Sequence, residues 1–453
     1  MNMKRFVLIA SALLICGSVM AQEETPSKFK LYGFIRNYAT LDTRAVNAGT
    51  ESLYFYMPKD LSINAEGQDS NNGLNWAFVS LTTRLGLDVS GYKWGKMGIS
   101  GKVEADFYNL KDNVAILRLR QAFIKLNWDD SPLALTLGQA WHPMAADLPH
   151  MTNLETGAPF NPFNRSPQVT LDVKAGDFIF TASMLYLNHY LPVGPNGKSK
   201  EYYRNGLPEF YAGVGYKHGG FLAKAGVDVV NMKPYKTYSG KEANGLLTAI
   251  SPFVFAQYGK GSFQVKAKAI LAQAGDHMNL LSGYGVSSYD AATNNFTYTP
   301  MRDLAAFVSF TYGKKVQFMC MFGYMKQLGT TADLINPDKF LWLNTAGSTM
   351  SQKTVSVKTV EEEVSIAGAV PVSITKEVSE ESTFTQANVC QAFRATPTIA
   401  FNLGKFTLSL EYNYTIGEYG DAGIHRGVRG LYDGAPTHWV HNHRFICMTK
   451  FNF

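Results

Sequence analysis

Residues 82–108 read TTRLGLDVSGYKWGKMGISGKVEADFY, and this stretch decides the fold. Apolar and polar residues alternate through its second half. Side chains in a strand point in turn to its two faces, so one face of this strand is apolar and the other is charged. The apolar face carries Met97, Ile99, Val103, Ala105 and Phe107, and the other carries Ser100, Lys102, Glu104 and Asp106.

The same alternation recurs along the whole chain in about sixteen segments of roughly ten residues. The segments are rich in Tyr, Phe, Val and Thr, and most end in Gly, Asp, Asn or Lys. They predict strands near 29–42, 76–90, 96–108, 114–127, 133–142, 167–174, 177–189, 208–217, 220–231, 246–258, 261–274, 302–313, 315–327, 390–402, 405–417 and 441–453.

The connections between these segments alternate between short and long. The short ones are 91–95, 129–132, 175–176, 218–219, 260, 314 and 404, and the long ones are 43–75, 143–166, 190–207, 275–301, 328–389 and 418–440. This rhythm predicts an all-β transmembrane antiparallel barrel with short periplasmic turns and long extracellular loops. A soluble sandwich shares the alternation and remains the alternative, although it has no reason to place its long loops at one end.

The first 21 residues read as a secretory signal peptide, which leaves residues 22–453 as a single barrel domain. Lys4 and Arg5 precede an apolar run, and Ala21 marks the expected cleavage site. Their removal lowers the formal net charge from +6 to +4, too little to indicate a nucleic-acid partner. No later apolar run approaches the roughly 20 residues of a membrane helix. The predicted location is the outer membrane of a Gram-negative bacterium, with membrane lipid as a partner.

Two stretches carry a family resemblance: GQAWHPM at 138–144 and TGAPFNPFNRSPQ at 156–168. They are similar to the loop after the fifth strand in DcaP-like porins, which are sixteen-stranded trimeric channels of Gram-negative outer membranes. The resemblance implies a homotrimer, a loop folded inward to narrow the pore, and passive passage of small hydrophilic, often anionic, solutes. It implies no cofactor and no catalysis. The insertion at 328–389 departs from the family pattern.

The last strand also resembles a family feature. Phe445, Phe451 and the terminal Phe453 place large residues at alternate positions. This pattern looks like the signal that the barrel-assembly machinery reads in outer-membrane proteins, so that machinery is a further predicted partner.

The segment 143–166 fits the role of a constriction loop, because its prolines exclude a helix or a ladder and its apolar residues supply surface to pack on the inner wall. An exposed surface loop is the alternative. The predicted constriction residues are Trp141, His142, Pro143, Asp147, Gly157, Pro159, Phe160, Phe163 and Arg165.

Period-two assignment places more basic than acidic residues on the inner face of the wall. This excess predicts a mild anion preference, carried chiefly by Arg36, Arg84, Arg118 and Arg120 opposite the loop. Alternatively, these arginines pair with wall carboxylates or solvate the lumen. The predicted pore-lining set is Arg36, Arg84, Lys102, Glu104, Asp106, Arg118, Arg120, Lys266, Lys268 and Arg394.

Other functions have weaker support in the sequence. His438, His441 and His443 lack a clear third ligand, so no metal site is predicted. A barrel enzyme would need a nucleophile motif such as Gly-x-Ser-x-Gly, and none stands out. A structural or adhesive surface protein is the stronger alternative, because segments 354–360 and 370–378 could pair as a hairpin above the membrane.

Overall fold

The computed structural model describes residues 28–109, 115–192, 194–195, 207–343, 353–364, 372–383, 388–420 and 436–453. The predicted signal peptide at 1–21 lies outside the described residues, as do parts of several predicted loops. Among the described residues, no helix combines the length and the apolar character needed to cross a bilayer.

Sixteen antiparallel strands form one closed sheet, which confirms the predicted fold. The ring is closed by β1, which pairs with β2 on one side and with β16 on the other. The strands are β1 (Phe29–Arg44), β2 (Asn72–Val79 and Arg84–Trp94), β3 (Met97–Asn109), β4 (Ala115–Trp128), β5 (Leu133–Trp141), β6 (Arg165–Ala175), β7 (Phe178–Leu185), β8 (Glu209–His218), β9 (Phe221–Met232), β10 (Leu247–Lys260), β11 (Phe263–Gln273), β12 (Asn295–Gly313), β13 (Val316–Thr330), β14 (Asn388–Ala395 and Thr398–Leu403), β15 (Phe406–Gly420) and β16 (Thr437–Asn452).

Two strands that the sequence predicts as continuous are interrupted. In β14 the break falls at Thr396 and Pro397, because proline has no N–H to donate to the ladder. Thr396 bridges the gap: its N–H donates to the carbonyl of Met321, and its Oγ1 accepts the N–H of Met321. In β2 the break spans residues 80–83 and contains Thr82 at a φ of 68°.

The wall has an apolar outside, as the alternation predicts. Its inside is charged on β1 to β4, whereas β10 to β13 also turn buried apolar side chains inward, and these pack with the inner residues of the long-loop side; they include Phe253, Phe255, Phe307 and Met321. Trp76 and Trp94 are each 77% exposed on the outer surface, and Val103 and Phe107 are exposed on β3. Asp106, on the opposite face of β3, is fully buried. A closed ladder satisfies the backbone polar groups within the wall, so such a surface is suited to contact with hydrocarbon.

Additional short elements lie in the connections on the long-loop side. Gly283–Asp290 pairs with the extended start of β12 and with Leu341–Leu343. Two short helices, Gly275–Met278 and Pro337–Phe340, occupy the same side. The remaining pairs are Val46–Gly49 with Tyr54–Pro58, Thr237–Tyr238 with Lys241–Glu242, and Lys353–Val364 with Val372–Thr383.

Candidate functional site

The connection between β5 and β6, residues 142–164, runs through the inside of the barrel. We call it the inner loop. Its backbone carbonyl at Leu148 accepts a hydrogen bond from Lys266 on β11 at 2.9 Å, and its N–H at Thr152 donates to Glu411 on β15 at 2.5 Å. Because Lys266 and Glu411 belong to strands far around the ring from β5 and β6, the loop crosses the interior.

Arg394 fastens this loop to the wall from strand β14. Its guanidinium lies 3.2 Å from a carboxylate oxygen of Glu155 and donates to the carbonyl of Ala158 at 2.8 Å. It also donates to the carbonyl of Tyr56 at 2.6 Å and to Thr415 at 2.8 Å. Arg394 therefore joins the inner loop and a second loop to the barrel.

Lys268 has a similar position on β11. Its ammonium donates to the carbonyl of Met144 and to the side-chain oxygen of Asn161, both at 2.8 Å. Lys268 and Arg394 are both buried under the inner loop. The sequence prediction that these two residues line the pore is wrong, because period two identifies the face of a side chain and not what covers it. We call Arg394, Lys268 and Glu411 the anchor set.

Glu155 is the acidic member of this contact on the loop side. Burial raises the pKa of its carboxyl from the usual value near 4.5 to about 8, although the positive charge of Arg394 acts in the opposite direction. At neutral pH this carboxyl is therefore mostly protonated in the folded protein, and the hydrogen bond from Arg394 holds the contact.

The other predicted loop residues are divided between the loop and the ends of its flanking strands. Trp141 is the last residue of β5 and Arg165 is the first of β6, so neither belongs to the connection. Phe160 is buried and packs on Gly323 of β13. Gly157 has a φ of 93°, and a Cβ atom there would lie 2.7 Å from Pro149.

Several of these residues help to hold the loop in shape. Phe163 makes an edge contact with Trp141 at 5.2 Å between ring centroids. Asp147 forms an ion pair with Lys224 of β9 at 2.9 Å. His142, Pro143 and Pro159 lie in the same segment, and the contacts of His142 are described below.

Arginines form a second group of charges on the inner face of β1 to β4. Arg118 makes two 3.0 Å hydrogen bonds to the carboxylate of Asp106. Arg120 bridges Glu104 at 2.8 Å and Asp106 at 2.6 Å, and Arg84 lies 3.4 Å from Glu104. These three arginines therefore pair with carboxylates of the wall, as the alternative interpretation of the sequence expects.

Two further arginines differ, because neither is paired with a carboxylate among the described residues. Arg36 donates to Thr82 at 3.1 and 2.8 Å and interacts electrostatically with Arg120. Arg165 is fully buried, lies over the rings of Trp141 and Phe163, and has no hydrogen-bond partner in the described part of the chain. We call Arg36, Arg84, Arg118, Arg120 and Arg165 the arginine cluster. Its five guanidinium groups exceed its two carboxylates by three positive charges.

The remaining predicted wall residues have smaller roles. Lys102 lies 2.8 Å from Asp88 and donates to Tyr32, and Lys266 holds the loop as described. Of the histidines near the C terminus, His438 contacts Asp60, whereas His443 contacts Tyr412 and makes an edge contact with His441 at 5.3 Å between ring centroids.

Sequence reasoning missed Lys125 and Asn127 of β4 on the inner wall because of one β-bulge. Between β3 and β4 the register shifts, and Arg120 becomes the extra residue. From this residue to the short-turn end of β4, the odd-numbered side chains face inward, whereas the even-numbered ones do so before it.

An interior cavity of about 680 Å³ extends from the inner loop toward the short-turn rim. Its polar lining includes Lys125, Asn127, Thr136, Thr170, Lys174 and Lys217.

Comparisons with known proteins agree with this architecture. No family model and no curated protein matches the sequence. The fold is similar to that of the outer-membrane channel DcaP of Acinetobacter baumannii, with a TM-score of 0.59 and 18% identity over 95% of this chain and 100% of that one. It is also similar to an anion-selective porin from Comamonas acidovorans, with a TM-score of 0.50 and 10% identity over 94% and 99% of the two chains. The chain therefore has a porin-like sixteen-stranded barrel fold.

Proposed function

We propose that the chain forms a water-filled channel in the outer membrane of a Gram-negative bacterium, through which small hydrophilic solutes diffuse. One observation carries the proposal: a closed wall, apolar outside and with charged side chains inside, is crossed by a loop that would narrow its interior. A core that served only for stability would not need rows of charged side chains, since buried charges cost free energy unless they are paired.

We further propose that the channel prefers anions. Three excess positive charges lie in the arginine cluster, and low-dielectric walls focus such a field along the path of a solute. The inner loop lies across the barrel from this cluster and would force solutes past it. The resemblance of the loop motifs to DcaP-like porins supports the same assignment.

Assembly follows from the same proposal. The exposed apolar belt would contact membrane lipid and, in part, two further copies in a homotrimer. Phe445 and Phe451 are exposed on the outer face of β16, as is the terminal Phe453, and there they would be accessible to the barrel-assembly machinery. No catalytic step is proposed for any residue.

Planar-bilayer recording of the purified mature protein tests the channel. We expect stepwise conductance and, in a KCl gradient, a reversal potential of the sign that chloride permeation gives. Absence of conductance would refute the channel, whereas conductance with cation selectivity would refute only the anion preference.

An adhesive role is the second candidate, favoured by the paired strands Lys353–Val364 and Val372–Thr383 in the long-loop region. Deletion of residues 350–380 separates the two roles. If the channel is the function, the deletion variant keeps its conductance; if adhesion is the function, cell binding is lost while the wild-type protein conducts no ions.

A further inference from the structure

Four ionisable side chains meet inside the barrel, in the half nearer the long loops, where the inner loop begins. His142 is the first residue of that loop, Glu209 begins β8, Asp228 lies in β9, and His277 belongs to the short helix Gly275–Met278. All four are buried, with exposed fractions between 0 and 2%. They come from separate parts of the sequence, and we call them the His–carboxylate cluster.

The nitrogen and oxygen atoms of this cluster converge. His142 Nε2 lies 2.6 Å from an oxygen of Glu209 and 3.5 Å from one of Asp228. His277 Nε2 lies 3.6 Å from Glu209 and 3.7 Å from Asp228. One ligand atom each of His142, Glu209 and Asp228 lies within 4.8 Å of the others.

Several of these polar atoms have no hydrogen-bond partner. They are one oxygen of Glu209, both oxygens of Asp228 and Nε2 of His277, and the statement covers the described part of the chain. A buried polar atom without a partner is unfavourable, and more so if it is charged. As metal ligands the two imidazoles are neutral, so with the two carboxylates they would present a charge of −2, which a divalent cation would cancel.

We propose that His142, Glu209, Asp228 and His277 bind one divalent transition-metal ion, for which Zn²⁺ is the best match. Imidazole with carboxylate favours such an ion over Mg²⁺ or Ca²⁺, which prefer oxygen ligands alone. In a tetrahedral zinc site with bonds near 2.1 Å, the ligand atoms lie about 3.4 Å apart. Three of the four interatomic distances, at 3.5, 3.6 and 3.7 Å, are close to that spacing. The 3.5 and 3.7 Å distances end on different oxygens of Asp228, so this carboxylate turns, or binds through both oxygens, when the ion is held.

The orientation of His277 suits metal binding. Its Nδ1–H donates to the carbonyl of Ala274 at 3.0 Å, which leaves the lone pair of Nε2 directed at the two carboxylates. Metal-bound histidines typically donate their other ring N–H in this way.

His142 needs one local adjustment. Its Nδ1 accepts the N–H of Met144 at 3.1 Å, so Nε2 carries the ring proton and donates to Glu209. Metal binding at Nε2 requires the neutral imidazole to carry its proton on Nδ1 instead. The ring then shifts, opening the Met144 contact and widening the 2.6 Å approach to Glu209.

Four protein ligands would make this a closed, structural site. It would tie the start of the inner loop to two wall strands and to the helix Gly275–Met278. The ion would thus fix the position of the loop and would take no part in solute passage.

Metal analysis of tag-free protein, isolated from membranes after growth with added Zn²⁺, tests the proposal. We expect about one tightly bound ion per chain. X-ray absorption should give two imidazole and two carboxylate donors, and Co²⁺ exchanged into the chelated protein should give the strong visible bands of a tetrahedral site. These wild-type measurements need no variant. A folded barrel that binds neither ion stoichiometrically overturns the proposal.

Variants then locate the site. His277→Gln and Glu209→Gln should each lower metal affinity at least roughly a hundredfold. The matched control is His441→Gln, an exposed histidine of β16 that should retain the full equivalent. Folding is monitored by the slower migration of unfolded barrels in heated gel samples. Metal retained in both cluster variants, or lost in the control, refutes the assignment.

Discussion

Two regions of the inner wall carry similar charged side chains but differ in what covers them. The arginine cluster on β1, β2, β4 and β6 pairs mostly with carboxylates of the wall itself. The anchor set on β11, β14 and β15 instead bonds to the inner loop, and Arg394 and Glu411 are each at most 3% exposed beneath it. The comparison indicates that the charges of the anchor set hold the loop, whereas those of the arginine cluster are held mainly by the wall and are the ones to which we assign the proposed selection of solutes.

Removal of an anchor should have the largest effect. Arg394→Ala leaves Glu155 and the carbonyls of Tyr56 and Ala158 without their donor, so we expect a loss of about 3–5 kcal/mol in stability. The loop should then swing away from the wall and raise the single-channel conductance. Heat-modifiability in gels and bilayer recording measure the two effects.

The matched control for this variant is Arg118→Ala, which removes the same group from the arginine cluster. Asp106 keeps its second partner, Arg120, so the loss of stability should be smaller and the conductance steps should change little. Equal effects of the two substitutions would remove the distinction between the regions.

The next largest effect is expected in the pH dependence of stability, to which the contact between Glu155 and Arg394 contributes. The folded-state pKa of Glu155, about 8, exceeds its usual value near 4.5, so the native state holds an extra proton between these values. Stability from this group is therefore present at low pH and is lost as pH rises through that window. The melting temperature of the wild type should fall from pH 5 to pH 9, and Glu155→Gln should flatten that slope. An unchanged slope in the variant contradicts the assignment.

A substitution in the arginine cluster should change selectivity more than stability. Arg36→Gln removes a charge without a carboxylate partner in the described residues, and we expect the ratio of chloride to potassium permeability to fall roughly twofold. Lys93→Gln, at the short-turn rim, removes an equal charge and should leave the ratio almost unchanged. The wild-type preference should also weaken between 0.1 M and 1 M KCl, because the screening length falls from about 10 Å to about 3 Å.

The smallest effect is expected at the exposed rim. Lys96 and Asp130 form a 2.5 Å ion pair, but their side chains are 75% and 57% exposed. Water and salt screen such pairs, so Lys96→Ala should change stability by less than about 1 kcal/mol. Denaturant or thermal unfolding checks this, and a loss comparable to that of Arg394→Ala would show that burial is not what separates the two regions.

The fold was predictable because a closed wall imposes period two on every strand. Val103 and Glu104 reveal their faces from their chemistry alone. The interruptions of strands were harder to predict. Pro397 signals the break in β14, but nothing in the composition of 80–83 signals the break in β2. A single inserted residue, Arg120, reverses the inward parity and hid Lys125 from sequence analysis.

The site was predictable only in part. Gly157 and the surrounding prolines identify the inner loop, yet its partners in the anchor set lie on strands more than a hundred residues away. Arg394 and Lys268 could be assigned to the inner face, but their burial depends on tertiary cover. The His–carboxylate cluster could not be recognised from a motif with a fixed spacing, because His142 and His277 lie on different connections.

The closure of the ring has a consequence for the biosynthesis of the protein. Phe34 pairs with Asn452, so the first strand waits for the last one to be translated before its edge is covered. Until then the polypeptide exposes unpaired strand edges and apolar strand faces, both of which promote aggregation. The chain therefore has to cross the periplasm before the barrel is closed, and it needs protection from aggregation on the way. A nonsense mutation that removes only β16 would prevent the barrel from forming instead of producing a slightly narrower one.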